Sequence, residues 1–230
     1  MSPKKTPGVF SAVVLDMDGL LIDTEPLYKS AWQLAGRELG VDLDDEFYAT
    51  LIGRSNAEGE VLIARKFGDA LPLDVFRARW PALWEARIRD GGMPTKPGVV
   101  ELIDFLEAHR LPVAVATSSD RAFTAFSLTA AKLSDRLSLC VTGDEIARGK
   151  PAPDIYLEAA RRLGVDARAC VAFEDSENGV LAASRAGMRV IMVPDLRQPS
   201  TAIAAVAAAV VPTLHAALPL LAAWLADTPT

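Results

Sequence analysis

The stretch that decides the fold stands near the start of the chain, where residues 9–19 read VFSAVVLDMDG. A largely apolar run from Val9 to Leu15 ends in two carboxylates, Asp16 and Asp18, and then in a glycine. Continuous apolarity, without a polar residue at every second position, is typical of a strand covered on both faces, as in a parallel sheet. The stretch therefore predicts a buried parallel strand with acidic side chains at its carboxyl end.

Short apolar runs of the same kind recur later in the chain, with amphipathic stretches between them. The runs are Val113–Ala116, Leu137–Val141, Cys170–Phe173, Val190–Val193 and Ala208–Val211. The helices predicted between them are Val99–His109, Arg121–Lys132, Pro153–Leu163 and Asn178–Ala186, with Ser176 as a cap and Gly164 and Gly187 as stops. This alternation predicts an α/β fold with a doubly wound, Rossmann-like parallel sheet.

The alternation is interrupted between the first strand and the rest of the sheet. Here the sequence predicts only helices, over Pro26–Leu39, Asp45–Leu51, Ala57–Phe67 and Leu73–Arg89. We therefore predict an inserted α-helical domain over residues 22–94 and a catalytic core formed by residues 1–21 and 95–230.

The composition excludes several classes of function. The chain carries 24 Lys and Arg against 30 Asp and Glu, a net charge of −6, which argues against nucleic-acid or anionic-membrane partners. Only two histidines are present, so His-rich metal sites and His-centred general-base catalysis are disfavoured. Cys140 and Cys170 stand in apolar runs and are expected to be core thiols in a reducing cytoplasm. Catalysis is expected to depend on carboxylates, hydroxyls and lysine.

The tract from Gln198 to Ala226 contains no charged residue, which raises the question of a membrane span. It is rich in alanine and is interrupted by Pro199, Pro212 and Pro219. We expect a soluble cytoplasmic protein in which this tract forms a last strand and a closing helix over Thr213–Leu225.

Polar residues follow the predicted strands at the points where ligands bind in an open parallel sheet. Asp16 and Asp18 follow the first strand, Thr117 and Ser118 the second, and Glu174 and Asp175 the fourth, while Lys150 lies beyond the third. Each group has an ordinary alternative: a solvated turn, a helix cap, an acidic helix N-terminus and a loop cation, respectively. Their coincidence at four strand ends predicts a common site.

The residue types at this site indicate phosphoryl chemistry. Clustered carboxylates repel one another unless a cation neutralises them, and ligands that are all oxygens favour Mg²⁺ over zinc or copper. A lysine and a hydroxyl beside the metal would hold phosphoryl oxygens. One aspartate can then attack phosphorus to form an aspartyl-phosphate, and a second can protonate the leaving oxygen and later activate water.

These residues resemble the four ordered motifs of the haloacid dehalogenase superfamily, and the resemblance covers essentially the whole chain. The motifs correspond to Asp16–Glu25, Thr117–Ser118, Lys150–Asp154 and Glu174–Gly179. The helical insertion resembles the small α-helical cap of the phosphatase and β-phosphoglucomutase branch.

The resemblance implies a role for each core residue. Asp16 would be the nucleophile and a metal ligand, and Asp18 the general acid and base, with its backbone carbonyl on the metal. Thr117 and the amide of Ser118 would hold the phosphoryl oxygens, and Lys150 would neutralise charge between phosphate and Asp16.

The metal and the reaction class also follow from the resemblance. Asp175 and Glu174 would anchor Mg²⁺, either directly or through water. Dehalogenases of the superfamily lack an acid at the place of Asp18, so its presence indicates a phosphate ester as substrate.

The insertion is expected to select the substrate, with Glu25, Tyr28, Arg54 and Asn56 as candidate contacts. β-Phosphoglucomutases have a histidine where this chain has Tyr28 and an arginine where it has Asn56, with Arg54 as an alternative. These differences favour a phosphatase over a mutase. Further candidates, expected instead to be core aromatics or surface charges, are Lys66, Trp80, Trp84 and Arg87.

The sequence thus predicts an Mg²⁺-dependent phosphatase of a small phosphorylated metabolite, acting as a monomer or weak homodimer. The first alternative is a sugar-phosphate mutase. A second alternative is a non-enzymatic phospho-accepting switch, but such receivers are shorter, lack a cap and carry their acceptor well inside the chain.

Overall fold

A computed structural model describes residues 10–51 and 56–226, apart from the side chains of residues 56–58. The chain divides into two units, one formed by the residues up to Ile22 and from Thr95 onward, the other by Asp23–Pro94. We call them the sheet unit and the helical unit.

The sheet unit contains a six-stranded sheet in which all neighbouring strands are parallel, in the order β3-β2-β1-β4-β5-β6. The strands are β1 (Ala12–Leu15), β2 (Val113–Ala116), β3 (Cys140–Val141), β4 (Cys170–Glu174), β5 (Arg189–Met192) and β6 (Ala209–Val210). Every residue of the two central strands, β1 and β4, is buried, as their continuous apolarity predicts. The predicted doubly wound parallel sheet is confirmed.

Helices alternate with the strands in the sheet unit and make up the helical unit. The helical unit contains α1 (Glu25–Glu38), α2 (Asp45–Ala49), α3 (Asn56–Phe67) and α4 (Leu73–Gly91). The sheet unit contains α5 (Val99–Ala108), α6 (Arg121–Ala130), α7 (Asp154–Leu163), α8 (Glu177–Arg185), α9 (Thr201–Val206) and α10 (Leu214–Ala226).

The two directions of travel across the sheet place helices on both of its faces. The chain moves from β1 to β3 in one direction and from β4 to β6 in the other. Because crossover connections are right-handed, α5 and α6 cover one face, and α8 and α9 cover the opposite one. Ala12 and Val14 of β1 share a buried cluster with Ile155 of α7, Val180 of α8 and Ile203 of α9, so these three helices cover the same face.

The structure differs from the sequence-based expectation mainly at the edges of the sheet. The predicted strand Leu137–Val141 is reduced to Cys140–Val141, and Cys140 is only half-buried, whereas Cys170 is fully buried. Helix α9 was not predicted, because it lies in an alanine-rich tract without amphipathic periodicity; Ser200 caps it by accepting from the Ile203 amide. Among the described residues, no helix has the length and apolarity needed to span a bilayer.

The helical unit is organised around an aromatic cluster between α1 and α4. Its members are Tyr28, Trp32, Tyr48, Phe76, Trp80 and Trp84. Tyr28 stacks on Trp84 with ring centroids 5.5 Å apart, and Trp84 is buried, as expected for a core residue. Arg87 is exposed, and Lys66 lies on the surface with its ammonium 4.2 Å from the ring centroid of Phe47.

Candidate active site

The candidate site lies between β1 and β4, where the strand order of the sheet reverses. Asp16 directly follows β1, and Glu174 is the last residue of the adjacent β4. The backbone amide of Asp16 donates to the carbonyl of Phe173 at 3.0 Å, which fixes the start of the loop against β4. Open α/β sheets form their ligand-binding crevice at such a reversal, outside the carboxyl ends of the strands.

Lys150 joins the two carboxylates of the central strands. Its ammonium donates to Oδ1 of Asp16, to Oε1 of Glu174 at 2.6 Å and to the carbonyl of Ala116 at 3.1 Å, which uses all three N–H groups. The side chains of Lys150 and Asp16 are 6% and 9% exposed, and that of Glu174 is fully buried. The site therefore holds one buried cation between two buried carboxylates.

The buried charges shift one another's ionisation. Burial lowers the pKa of Lys150, but the charges of Asp16 and Glu174 outweigh it, so the pKa lies above its ordinary value and the ammonium stays charged. Burial raises the pKa of Asp16 well above its ordinary value, and Lys150 opposes this shift. Asp16 thus depends on neighbouring positive charge to remain ionised.

Asp18 is held by the hydroxyls of the loop that follows β2. Its Oδ2 accepts from Ser119 Oγ at 2.9 Å and from Thr117 Oγ1 at 3.4 Å, and Thr117 Oγ1 in turn accepts from the Ser119 amide at 3.1 Å. Burial raises the pKa of Asp18, so its carboxyl group holds a proton more readily than that of an exposed aspartate. Helix α6 does not need Thr117 as its cap, because Asp120 accepts from the Phe123 amide at 2.8 Å.

Ser118 lies exposed beside this cluster, on a loop pressed against the loop that follows β3. The amide of Gly143 donates to the carbonyl of Ser119 at 2.8 Å. A methyl group at Gly143 would lie only 2.2 Å from the carbonyl oxygen of Ser118, so only glycine fits there. This close approach fixes the backbone of Ser118 at the rim of the site.

Asp175 completes a group of carboxylates suited to a hard cation. One oxygen from each of Asp16, Glu174 and Asp175 can be chosen so that all lie within 4.8 Å of one another. Burial and the neighbouring charge of Glu174 raise the pKa of Asp175 to about 7. These oxygen ligands destabilise one another's negative charge, which a divalent cation would offset. They therefore fit Mg²⁺, the ion that the resemblance to the haloacid dehalogenases implies.

Three residues at or beside the candidate site were not predicted as site residues. Ser119 stands in the same polar run as Thr117, and Asp195 follows the apolar run Val190–Val193, so inspecting every strand end would have found both. Tyr156 donates its hydroxyl to Oε1 of Glu174 at 2.5 Å. It gives no signal in the sequence, because it occupies an inward position of an ordinary amphipathic helix.

The predicted substrate contacts belong to the helical unit. Glu25 begins α1, Tyr28 lies in its first turn, and Glu25 is hydrogen-bonded to the hydroxyl of Tyr48. Arg54 lies outside the described residues. Asn56 is the first residue of α3, and its side chain lies outside the described part of the chain.

Comparison with known proteins gives consistent matches over most of the chain. A family model of haloacid dehalogenase-like hydrolases matches residues 10–187. Protein CbbY of Rhodobacter capsulatus is 36% identical over 194 residues, 80% of this chain and 85% of that protein. A phosphorylated carbohydrates phosphatase of Thermotoga maritima is 33% identical over 180 residues, 78% of this chain and 83% of that protein. A crystal structure from Thermotoga maritima that carries the name of a β-phosphoglucomutase superposes with a TM-score of 0.83 and 30% identity, covering 93% of this chain and 99% of the other.

Proposed function

The chain belongs to the haloacid dehalogenase-like hydrolases, and from that premise we propose that it is an Mg²⁺-dependent phosphatase of a small phosphorylated metabolite. The observation that supports this most directly is the placement of Asp16, Asp18 and Lys150. A buried carboxylate paired with lysine stands beside a second carboxyl group whose pKa is raised, which is the pairing that nucleophilic phosphoryl transfer needs.

In the first half of the proposed reaction, a carboxylate oxygen of Asp16 attacks the phosphorus of the ester. The bond from phosphorus to the ester oxygen breaks, and protonated Asp18 gives its proton to that oxygen. The products are an alcohol and an aspartyl-phosphate on Asp16. The ammonium of Lys150, Thr117 and the amide of Ser118 would hold the phosphoryl oxygens, and their positive charge and N–H groups would stabilise the transition state.

In the second half, Asp18 acts in the opposite sense. Its carboxylate takes a proton from water while the water oxygen attacks the phosphorus of the aspartyl-phosphate. The bond from phosphorus to Asp16 breaks, which releases inorganic phosphate, regenerates the Asp16 carboxylate and leaves Asp18 protonated for the next cycle.

Asp16, Asp175 and the backbone carbonyl of Asp18 would hold the Mg²⁺ ion, with the charge of Glu174 beside them. When bound, the ion supplies positive charge that offsets the carboxylates and polarises a phosphoryl oxygen. The helical unit would act as a cap that selects the substrate and excludes bulk water.

A panel of three variants tests the proposal, with hydrolysis of an aryl phosphate as the assay. We expect Asp16→Asn to lower kcat by at least about a thousandfold and Asp18→Asn to lower it strongly, because each removes a reacting group. Asp135→Asn, at an exposed position of the sheet unit, is the matched control and should retain full activity. A chelator should stop the reaction and added Mg²⁺ should restore it. Full activity of Asp16→Asn would contradict the nucleophile assignment.

The structural similarity to the Thermotoga maritima chain that carries the name of a β-phosphoglucomutase makes a sugar-phosphate mutase the second candidate. The aromatic packing of Tyr28 against Trp84, at the place where mutases have a histidine, favours the phosphatase. A mutase would interconvert a hexose 1-phosphate and its 6-phosphate in the presence of a bisphosphate primer and release little phosphate. Release of phosphate without interconversion would support the phosphatase.

A further inference from the structure

We propose that Tyr156 is a positioning residue for Lys150, acting through Glu174; this inference rests on the proposed phosphatase function. Tyr156 is completely buried, with its ring in the apolar cluster between the sheet and α7. Its hydroxyl is therefore a polar group in the core, and it donates to Oε1 of Glu174 at 2.5 Å. A hydroxyl in such a place is costly unless it is paired, so its single carboxylate partner is significant.

The carboxylate of Glu174 is surrounded by donors from three directions. Oε1 accepts from Tyr156 and from Lys150 at 2.6 Å, and Oε2 accepts from the amide and hydroxyl of Ser176 at 3.2 and 3.0 Å. These four hydrogen bonds use about the full acceptor capacity of a carboxylate. A methyl group at Gly179 would lie 1.8 Å from Cδ of Glu174, so the carboxylate occupies the space that a side chain at this position of helix α8 would need.

Lys150 receives its position from this arrangement. Its ammonium lies between Asp16 and Glu174, and it stands 5.2 Å from the ring centroid of Tyr156. Without the Tyr156 hydroxyl, Lys150 would be the one donor left to Oε1 of Glu174 among the described residues, and Oε1 would draw the ammonium away from Asp16. Lys150 would then be misplaced for the phosphoryl group, although every residue that contacts the substrate would still be present.

Tyr156→Phe tests the inference, because it removes one oxygen and keeps the volume of the ring. We expect kcat on an aryl phosphate to fall roughly tenfold while KM changes less than about twofold. The matched control is Ser127→Ala, which removes a buried hydroxyl of α6 that has no hydrogen-bond partner in the described part of the chain. It should leave kcat unchanged.

A double variant separates positioning from packing. In the Glu174→Gln background, Tyr156→Phe should lower kcat by less than about twofold further, because both changes break the same connection. Equal effects of Tyr156→Phe in both backgrounds would contradict the inference. The variant could also lose kcat only near its unfolding temperature and match the unaltered chain well below it. The hydroxyl would then serve stability alone, which would contradict the inference.

Two readouts distinguish failure of this inference from failure of the proposed function. Absence of phosphate release by the unaltered chain with Mg²⁺ would overturn the proposed function and, with it, this inference. A crystal structure of Tyr156→Phe tests the positioning independently of turnover. We expect the ammonium of Lys150 to lie farther from Asp16 than in the unaltered chain, and an unchanged position would overturn the inference alone.

Discussion

The ammonium of Lys96 donates to Oδ1 of Asp195 at 2.6 Å, in an ion pair whose side chains are 21% and 13% exposed. A methyl group at Gly19 would lie 3.2 Å from Oδ2 of Asp195 and 2.4 Å from Oδ2 of Asp175. The pair therefore adjoins the carboxylates proposed to hold the metal. After burial and Glu174, Asp195 is a further influence that raises the pKa of Asp175.

Because Lys96 and Asp195 are of opposite charge, removing each should change Mg²⁺ affinity in opposite directions. We expect Lys96→Met to tighten Mg²⁺ binding and Asp195→Asn to weaken it, each by roughly threefold to tenfold, since a charge near the ion adds to or subtracts from its attraction. Calorimetric titration with Mg²⁺ measures both. Lys29→Met, which breaks the surface pair with Asp45 in the helical unit, is the control. Changes in the same direction would show that the pair acts through structure rather than charge.

Gly19→Ala should damage the site more than it damages the fold. Gly19 has φ +83°, a left-handed conformation that costs an alanine roughly 1–2 kcal/mol, and the added methyl would displace Asp175. Gly40 has φ +82° with no atom within 4 Å of an added methyl, so Gly40→Ala carries the same backbone strain alone. We expect similar losses in free energy of unfolding, but loss of phosphate release only in Gly19→Ala. Retained activity in Gly19→Ala would contradict the placement of Asp175.

Gly179→Ala should act on Glu174 in a similar way from inside a helix. The methyl would overlap the Glu174 carboxylate, whereas at Gly91, also helical, it would meet no atom within 4 Å. We expect Gly179→Ala to lose roughly 1–3 kcal/mol of stability and most of its activity, since it overpacks a buried site. Gly91→Ala should be neutral or slightly stabilising. Denaturant unfolding and phosphate release measure the two effects, and equal behaviour of the two variants would refute the prediction.

Arg162 should make the stability of the chain sensitive to acid. Hydrogen bonds from Arg162 lower the pKa of Glu145 from 4.5 to about 2. A depressed carboxylate pKa gives stability that is present above about pH 4.5 and is lost as the pH falls towards 2, because the unfolded chain binds the proton first. We expect Arg162→Met to be about 1–2 kcal/mol less stable at pH 7 and to lose less stability below pH 4.5.

The adjacent arginine provides the control for this prediction. Arg161 is 71% exposed and pairs only with Glu158 among the interactions described, so Arg161→Met should cost much less stability than Arg162→Met. Denaturant unfolding at pH 7, 4.5 and 3 measures all three proteins. Parallel curves for Arg162→Met and the unaltered chain would show that Glu145 contributes no acid sensitivity.

The sequence was sufficient for the sheet and for most of the residues at its carboxyl edge. Runs such as Cys170–Phe173 are apolar without interruption because both faces of a parallel strand are covered, and this pattern is local in the chain. The polar residues that follow the runs, including Asp16, Thr117 and Glu174, are brought to one edge by the parallel direction of the strands. The structure places them there together.

Other features depended on contacts between residues that are distant in the chain. Tyr156 looks like any inward residue of α7, and only the packing of that helix brings its hydroxyl to Glu174. Lys96 and Asp195 are joined in the same way across the fold. A strand or a motif is formed by residues that are neighbours in the sequence, so the sequence by itself determined the fold and the groups that we propose to react. The contacts that support those groups join residues that are far apart in the sequence, so only the tertiary structure determined them.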